Sequence, residues 1–192
     1  MKIAASNLSE PFEHYKTQID MSENRMLKTT STEANPLLES RLRSLQEQKP
    51  FCLEFCGRIN GVTFINDSAA TSIEKVADSL LSFDEPVIWI AEVSSPNIDF
   101  SIITDLMKSK IKAVVAVGEF GDDLHKKLMR QPGFFVAANT WDEALDMSLI
   151  LAKANDKVLF SPGSRASEPF ENHKERGAYW NRLVSILQNT RH

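Results

Sequence analysis

The sequence predicts an α/β domain built as a Rossmann-like three-layer sandwich. It should have about six strands in a mostly parallel sheet, an antiparallel N-terminal hairpin, and helices on both faces. First, an Asn60-Gly61 turn, whose residues tolerate positive φ, separates two strand-like runs. Second, strand-like and helix-like segments alternate after this hairpin, which is typical of parallel strands joined by crossover helices. Third, the runs 86–91 and 113–117 are continuously apolar, as expected for strands covered on both faces.

Each element has its own local signal. The predicted strands are 51–57, 61–66, 86–91, 113–117, 134–138 and 158–161. Capping boxes, in which a Thr hydroxyl and a Glu three residues later bond free amides of the first turn, open helices at Thr71 and Thr140. Further helices begin after Asp99 and span 122–129. A last helix carries the apolar residues Tyr179, Trp180, Leu183, Ile186 and Leu187.

The chain divides into three predicted segments. Residues 1–34 are polar, lack a sustained hydrophobic period and are expected to form a flexible N-terminal arm. Residues 35–50 are expected to be a helical linker, because Asn35 can cap a helix, Pro36 fits a first turn and leucines recur at helical spacing. Residues 51–192 form the predicted compact domain.

Composition limits the classes of partner. The 192 residues carry a net charge of −4 and 42% hydrophobic residues, which is ordinary for a soluble globular protein. The sequence has no basic stripe of the kind that binds nucleic acid. It also has no apolar run that approaches the ~20 residues of a membrane-spanning helix. We therefore expect a cytoplasmic protein with neither kind of partner. Cys52 and Cys56 have neither disulfide nor metal-site spacing, so both are expected to be buried thiols.

Polar residues follow the second strand, at the edge of the sheet where α/β proteins hold ligands. Asn66, Asp67 and Ser68 form this corner, and Asp67 could bond a ribose hydroxyl. Its alternative role is that of a turn residue bonding its own backbone. Thr71 could meet a ligand carboxylate or phosphate at a helix N-terminus, or act only as the cap of that helix.

A second polar loop follows the last strand. Its hydroxyls and one guanidinium, from Ser161, Ser164, Arg165 and Ser167, could grip a carboxylate. The alternative is an ordinary surface loop. Arg176 is expected to pair with Glu175 or a neighbouring acid.

These segments resemble the C-terminal domain of the Mur ligase family, nearest to its D-glutamate-adding branch. The resemblance covers 51–188. It is carried by the run from Asn60 to Ser68, by Asp99-Phe100-Ser101, and by Ser161-Pro162 followed by Phe170, Asn172, Glu175, Arg176 and Gly177. It implies amino-acid binding by Thr71, Ser161, Ser164, Arg165, Ser167 and Asn172, and nucleotide contacts by Asn66, Asp67 and Ser68. It implies no metal site on this chain.

The resemblance also implies a function. Family enzymes join an amino acid to a nucleotide-linked muramoyl carboxylate with ATP and Mg, which a central domain binds through a phosphate loop. These 192 residues contain no such loop. The chain is therefore expected to bind no cofactor alone, to contact ATP-binding Mur ligase domains or cell-wall enzymes in trans, and to accept a D-glutamate-like amino acid.

Several positions depart from the family pattern. Phe51-Cys52 replaces a His-Arg pair, Ala69 replaces a Lys, and 92–96 replaces a glycine-rich loop that carries a Lys. Because cations that offset phosphate and carboxylate charge are missing, we expect no catalysis by this chain alone. The alternatives are a catalytically silent binding or scaffold module and, more remotely, a small α/β enzyme of unrelated chemistry.

Overall fold

Six strands form one mixed sheet in the computed structural model, which describes residues 49–94, 98–119, 121–128 and 133–190. The strands are β1 (Glu54–Ile59), β2 (Val62–Asn66), β3 (Val87–Glu92), β4 (Ile111–Val117), β5 (Phe134–Ala138) and β6 (Lys157–Phe160). Their order across the sheet is β1-β2-β6-β3-β4-β5. The pair β1 and β2 is antiparallel and every other pair is parallel, which confirms the predicted sheet.

The predicted arm at 1–34 and nearly all of the predicted linker at 35–50 lie outside the described residues. That division of the chain stays a prediction. The described residues fall in one compact unit, Glu47–His192.

The N-terminal hairpin is closed by the residues that predicted it. Asn60 has φ of 51° and Gly61 has φ of 81°, the left-handed values that a tight hairpin turn requires. The predicted start of β1 was wrong. Phe51 and Leu53 also have positive φ, so strand geometry begins only at Glu54.

Five helices cover the two faces of the sheet within the described part of the chain. They are α1 (Ile73–Leu81), α2 (Ser101–Lys110), α3 (Gly121–Leu128), α4 (Trp141–Leu151) and α5 (His173–Thr190). The first three bury their apolar faces in one core around Trp89, and the last two do so in a second core around Phe160. The three-layer sandwich is therefore confirmed.

One half of one of the two predicted capping boxes forms, and its Glu143 carboxylate bonds the amide of Asn139 instead of that of Thr140. The Thr140 hydroxyl accepts a bond from the Glu143 amide at 3.1 Å at the start of α4. At α1 the prediction was wrong: the N-cap is Ser72 instead of Thr71, and its side chain makes no capping bond. The Thr71 side chain is therefore not needed to start that helix.

The two cysteines are less buried than expected. Cys52 and Cys56 are both free thiols, but neither is fully buried: Cys52 is exposed because it precedes the strand, and Cys56 on the strand is half-buried. Among the described helices, none is long and apolar enough to cross a membrane.

Candidate functional site

The corner after β2 is a buried hydrogen-bonded unit. Asn66 and Ser68 are fully buried. The Asn66 amide nitrogen donates to the Gly177 carbonyl at 2.9 Å and to the Asn181 side chain at 2.7 Å, which ties β2 to α5. The Asn66 oxygen accepts from the amide and the hydroxyl of Ser68. These side chains therefore hold the loop in shape.

Asp67 is also directed into the protein. One carboxylate oxygen accepts from the Ser161 hydroxyl at 2.7 Å and the other from the Leu53 amide at 3.3 Å. Burial raises the pKa of Asp67, and these hydrogen bonds offset only part of that effect. Asp67 thus joins the loops after β2 and β6, and contact with a ribose stays a prediction that requires these bonds to open.

A buried ion pair joins the end of β3 to the start of α5. The Arg176 guanidinium donates to the Glu92 carboxylate, and both side chains are almost fully buried. Arg176 also donates to the carbonyls of Ser68 and Ser164 at 3.1 Å each. Burial lowers the pKa of Arg176, and Glu92 opposes that shift. Arg176 therefore pairs with an acid, as expected, but that acid is Glu92, 84 residues away, and not Glu175.

Ser161 connects the same region to the sheet. Its backbone amide donates to the Ile90 carbonyl at 3.2 Å, and its carbonyl accepts from the Trp89 indole at 2.7 Å. The side chain and backbone of Ser161 are thus fully engaged inside the domain. It supports the loop that follows β6.

That loop and the first turn of α1 line a cavity of about 410 Å³. Thr71, Ser164 and Arg165, three of the predicted amino-acid-binding residues, lie together in its wall. The Gly163 backbone, with φ of 75°, donates to the Ala70 carbonyl at 3.0 Å and lies against Ile73 too closely for a Cβ. This close approach fixes Ser164 beside the helix N-terminus.

The Ser164 hydroxyl is the unusual polar group of the cavity. It is buried, and it has no hydrogen-bond partner among the described residues. Buried hydroxyls normally have a hydrogen-bond partner, so this one is an exception within the described residues. Arg165 is exposed beside it, and the described residues offer its guanidinium no ion pair.

Two carboxylates also line the cavity, those of Glu74 and Asp99. A hydrogen bond from the Ser72 hydroxyl lowers the pKa of Glu74. The Ser101 amide lowers the pKa of Asp99, with a smaller contribution from Lys127 nearby. Both carboxylates are therefore charged at neutral pH. From sequence alone, Glu74 and Asp99 have only helix-start roles, because nothing local indicates that they share a cavity.

A larger cavity, of about 550 Å³, lies at the opposite end of the sheet near Val62, Met147 and Ile150. None of the predicted site residues lines it. The smaller cavity is the better candidate, because it lies at the carboxyl ends of parallel strands and is lined by three of the predicted site residues.

Comparisons with known proteins agree with this architecture. The chain is 33% identical over 141 residues to a UDP-N-acetylmuramoylalanine–D-glutamate ligase (MurD) of Salinibacter ruber, covering 73% of this chain and 31% of that protein. It is 31% identical over 160 residues to the protein of that name from Chlamydia caviae, covering 82% of this chain and 38% of that protein. The chain thus spans about a third of the length of these relatives.

A solved structure has the same fold. A crystallised domain assigned to a UDP-N-acetylmuramate:L-alanyl-gamma-D-glutamyl-meso-diaminopimelate ligase from Haemophilus ducreyi superimposes with a TM-score of 0.51 at 16% identity. The match covers 70% of this chain and 98% of that domain. No family model matches the chain. The domain is a MurD-like Mur ligase C-terminal domain.

Two other predicted ligand residues of this Mur ligase C-terminal domain lie outside the cavity wall. Asn172 is exposed and caps α5, accepting bonds from the amides of Lys174 and Glu175 at 2.9 and 3.1 Å. The Ser167 hydroxyl donates to Glu92 at 2.5 Å. The contacts of both residues with an amino acid stay predictions.

In this Mur ligase C-terminal domain, the segment that replaces the glycine-rich loop begins at Glu92, which is bonded inside the domain. Glu92 does not present a free negative charge, since Arg176 and Ser167 both bond it. Within the described residues, no group of three or more His, Cys, Asp or Glu side chains is placed to hold a metal ion. The side chains of Asn66, Asp67 and Ser68 bond inside the domain, and their contacts with a nucleotide stay predictions.

Proposed function

We propose that this domain recognises the amino-acid substrate of a MurD-like, ATP-dependent ligase in peptidoglycan-precursor synthesis. The observation that carries the proposal is the cavity that Thr71, Ser164 and Arg165 line at the start of α1. The names of the curated relatives support an amino acid, D-glutamate, as the kind of ligand. The UDP-linked substrate in those names is a cytoplasmic compound, which supports a cytoplasmic location.

The cavity residues have complementary chemical roles in this proposal. A helix N-terminus offers free amides that attract a carboxylate, and Ser164 adds a hydroxyl donor beside them. Arg165 supplies the positive charge. A hydrogen bond to a charged group contributes about 1.5–3 kcal/mol when shielded from water. Because Arg165 is exposed, its contribution falls toward the ~1 kcal/mol of a surface ion pair.

The proposal assigns amino-acid binding, but not ligation, to these 192 residues alone. ATP and Mg, which activate the acceptor carboxylate as an acyl phosphate in the family, would be held by ATP-binding Mur ligase domains. Those domains are the proposed partners, on the same polypeptide or in trans. Support comes from the missing phosphate loop and from the internal bonding of Asn66, Asp67 and Ser68.

A catalytically silent binding or scaffold module is the second candidate. It is favoured by Phe51 and Cys52 at positions where the family resemblance calls for a His-Arg pair. The Phe51 carbonyl accepts from the Ala69 amide at 3.0 Å, and the Leu53 amide bonds Asp67, so this segment covers the corner after β2.

An NMR titration of isotope-labelled protein with amino acids distinguishes the two candidates. We expect D-glutamate or its neutral analogue D-glutamine to cause saturable NMR shifts at the amides of Thr71, Ser164 and Arg165. Ser164→Ala should weaken binding without lowering the melting temperature, because the hydroxyl has no internal partner to lose. Arg165→Ala should weaken binding about 3- to 10-fold, whereas the exposed Lys108→Ala at the other end of the sheet should not.

The scaffold candidate predicts a different result. Neither amino acid would shift these amides at any concentration, and the variants would behave alike. Formation of an amide product from ATP, D-glutamate and UDP-N-acetylmuramoylalanine by the purified 192-residue chain would contradict both candidates.

A further inference from the structure

The loop after β6 is attached to the domain on both sides of a short free stretch. Before that stretch, the Pro162 carbonyl accepts from the Glu92 amide at 3.0 Å, and the Ser164 carbonyl accepts from the Arg176 guanidinium at 3.1 Å. After it, the Ser167 hydroxyl donates to the Glu92 carboxylate at 2.5 Å. Both sides of the stretch are thus attached to the same buried ion pair.

The free stretch consists of Arg165 and Ala166. In the part of the chain that the structure describes, neither residue makes a hydrogen bond or an ion pair of its own. Arg165 lines the cavity with Thr71 and Ser164. Because only two residues lie between the attached positions, their backbone has few conformations to adopt, and the direction in which the Arg165 side chain leaves the loop is fixed.

The ion pair of Glu92 and Arg176 is suited to support this loop. The two side chains are 4% and 1% exposed, so water competes little for the bonds that they make. Hydrogen bonds to charged groups are also stronger than those between neutral groups. Because the two charges are opposite, the pair holds the loop without adding a net charge beside a bound carboxylate.

We propose that Ser167 is a positioning residue of the amino-acid site, which through Glu92 holds Arg165 at the cavity before a ligand arrives. The proposal rests on the function proposed above. It gives Ser167 an indirect role in place of the direct contact that the family resemblance implies. A serine hydroxyl has one proton to donate, and Glu92 already accepts it. A side chain held in place before binding lowers the ordering cost of binding.

The first measurement is the order of the loop in the ligand-free 192-residue chain, from NMR relaxation of backbone amides. The order parameters of Arg165 and Ala166 should be about 0.85 in the native chain and should fall toward about 0.6 in Ser167→Ala. Ser167→Thr keeps a hydroxyl and should keep the native values. Ser82→Ala is the matched control, because it removes a hydroxyl that bonds the Asp78 carbonyl at the other end of α1.

The second measurement shows whether Ser167 acts through Arg165. Ser167→Ala should weaken D-glutamate binding about 2- to 5-fold, and Ser167→Thr should bind within about twofold of the native chain. In an Arg165→Ala background, Ser167→Ala should cause no further loss, because the side chain that it positions is gone. A general loss of stability would not give this pattern.

The outcomes separate this inference from the proposed function. An equal further loss in the Arg165→Ala background would overturn it and indicate that Ser167 contacts the amino acid directly, with the site itself intact. Unchanged order parameters in Ser167→Ala would also overturn it. If the native chain does not bind D-glutamate, both proposals are wrong.

Discussion

Arg176 and Glu92 form a buried ion pair that joins the start of α5 to the end of β3. The same guanidinium bonds the carbonyls of Ser68 and Ser164, so one side chain sets the relative positions of three loops. Charged groups this deeply buried are costly unless paired. The pair is therefore the electrostatic centre of the site-bearing end of the sheet.

We predict that Glu92→Ala lowers the free energy of unfolding by about 3–5 kcal/mol, because it leaves the Arg176 charge buried without its partner. Urea unfolding followed by circular dichroism measures this. A double variant, Glu92→Leu with Arg176→Met, should lose less than the sum of the two single changes, since it removes both charges. Additive losses would show that the pair does not interact in the folded protein.

The stability contribution of Asp67 should depend on pH in a definite direction. Burial raises its pKa in the folded state above the ~3.9 of an unfolded chain, so the folded protein holds the proton more tightly. The contribution of Asp67 to stability is thus largest below the unfolded pKa and falls as pH rises through the folded pKa.

Asp67→Asn removes this titration. The unfolding free energy of the native chain minus that of Asp67→Asn should decrease as pH rises from about 4 to 7. Denaturant titrations of both proteins at several pH values give this difference, with the exposed Asp84→Asn as a control that shows little trend. A difference that increases with pH would mean that the hydrogen bonds from Ser161 and Leu53 outweigh burial.

Helix capping allows a direct comparison of two threonines. Thr140→Ala removes the hydroxyl that accepts from the Glu143 amide, and should cost about 1 kcal/mol. Thr71→Ala should change stability by less than about 0.5 kcal/mol, because Ser72 is the N-cap of α1. Thermal unfolding of both variants measures the contrast. Equal losses of stability in the two variants would show that Thr71 also caps its helix.

The two cysteines should differ in reactivity. Burial, with a smaller contribution from Glu54, raises the pKa of Cys56 to about 12, whereas Cys52 is exposed. At pH 8 only about one Cys56 thiol in 10⁴ is the reactive thiolate. Iodoacetamide should therefore add one group to the native chain and none to Cys52→Ser, as read by mass spectrometry. Rapid labelling of folded Cys52→Ser would contradict the burial of Cys56.

The fold was predictable because its signals are local and repeated. The Asn60-Gly61 turn fixed the hairpin, and alternating apolar runs and helices indicated a parallel sheet with two covered faces. The helix start at Thr71 was misplaced by one residue, because adjacent Thr and Ser side chains give nearly equal capping signals.

The site was harder to predict because its partners are far apart in sequence. Thr71, Ser164 and Arg165 were named from their loops, and they do share one cavity. The partner of Arg176 depends on which strands become neighbours, and sequence spacing favoured Glu175 over Glu92. Glu74 and Asp99 carry ordinary helix-start signals, so only the folded structure reveals that they line one cavity.

The hydrogen bond from the Trp89 indole to the Ser161 carbonyl gives the protein an internal fluorophore at the base of its polar loop. Indole emission responds to the polarity and bonding of its N–H group. A shift of the loop at Ser161 would therefore change the emission of a residue already present in the native chain. Loop rearrangement can be followed in real time without attaching a dye.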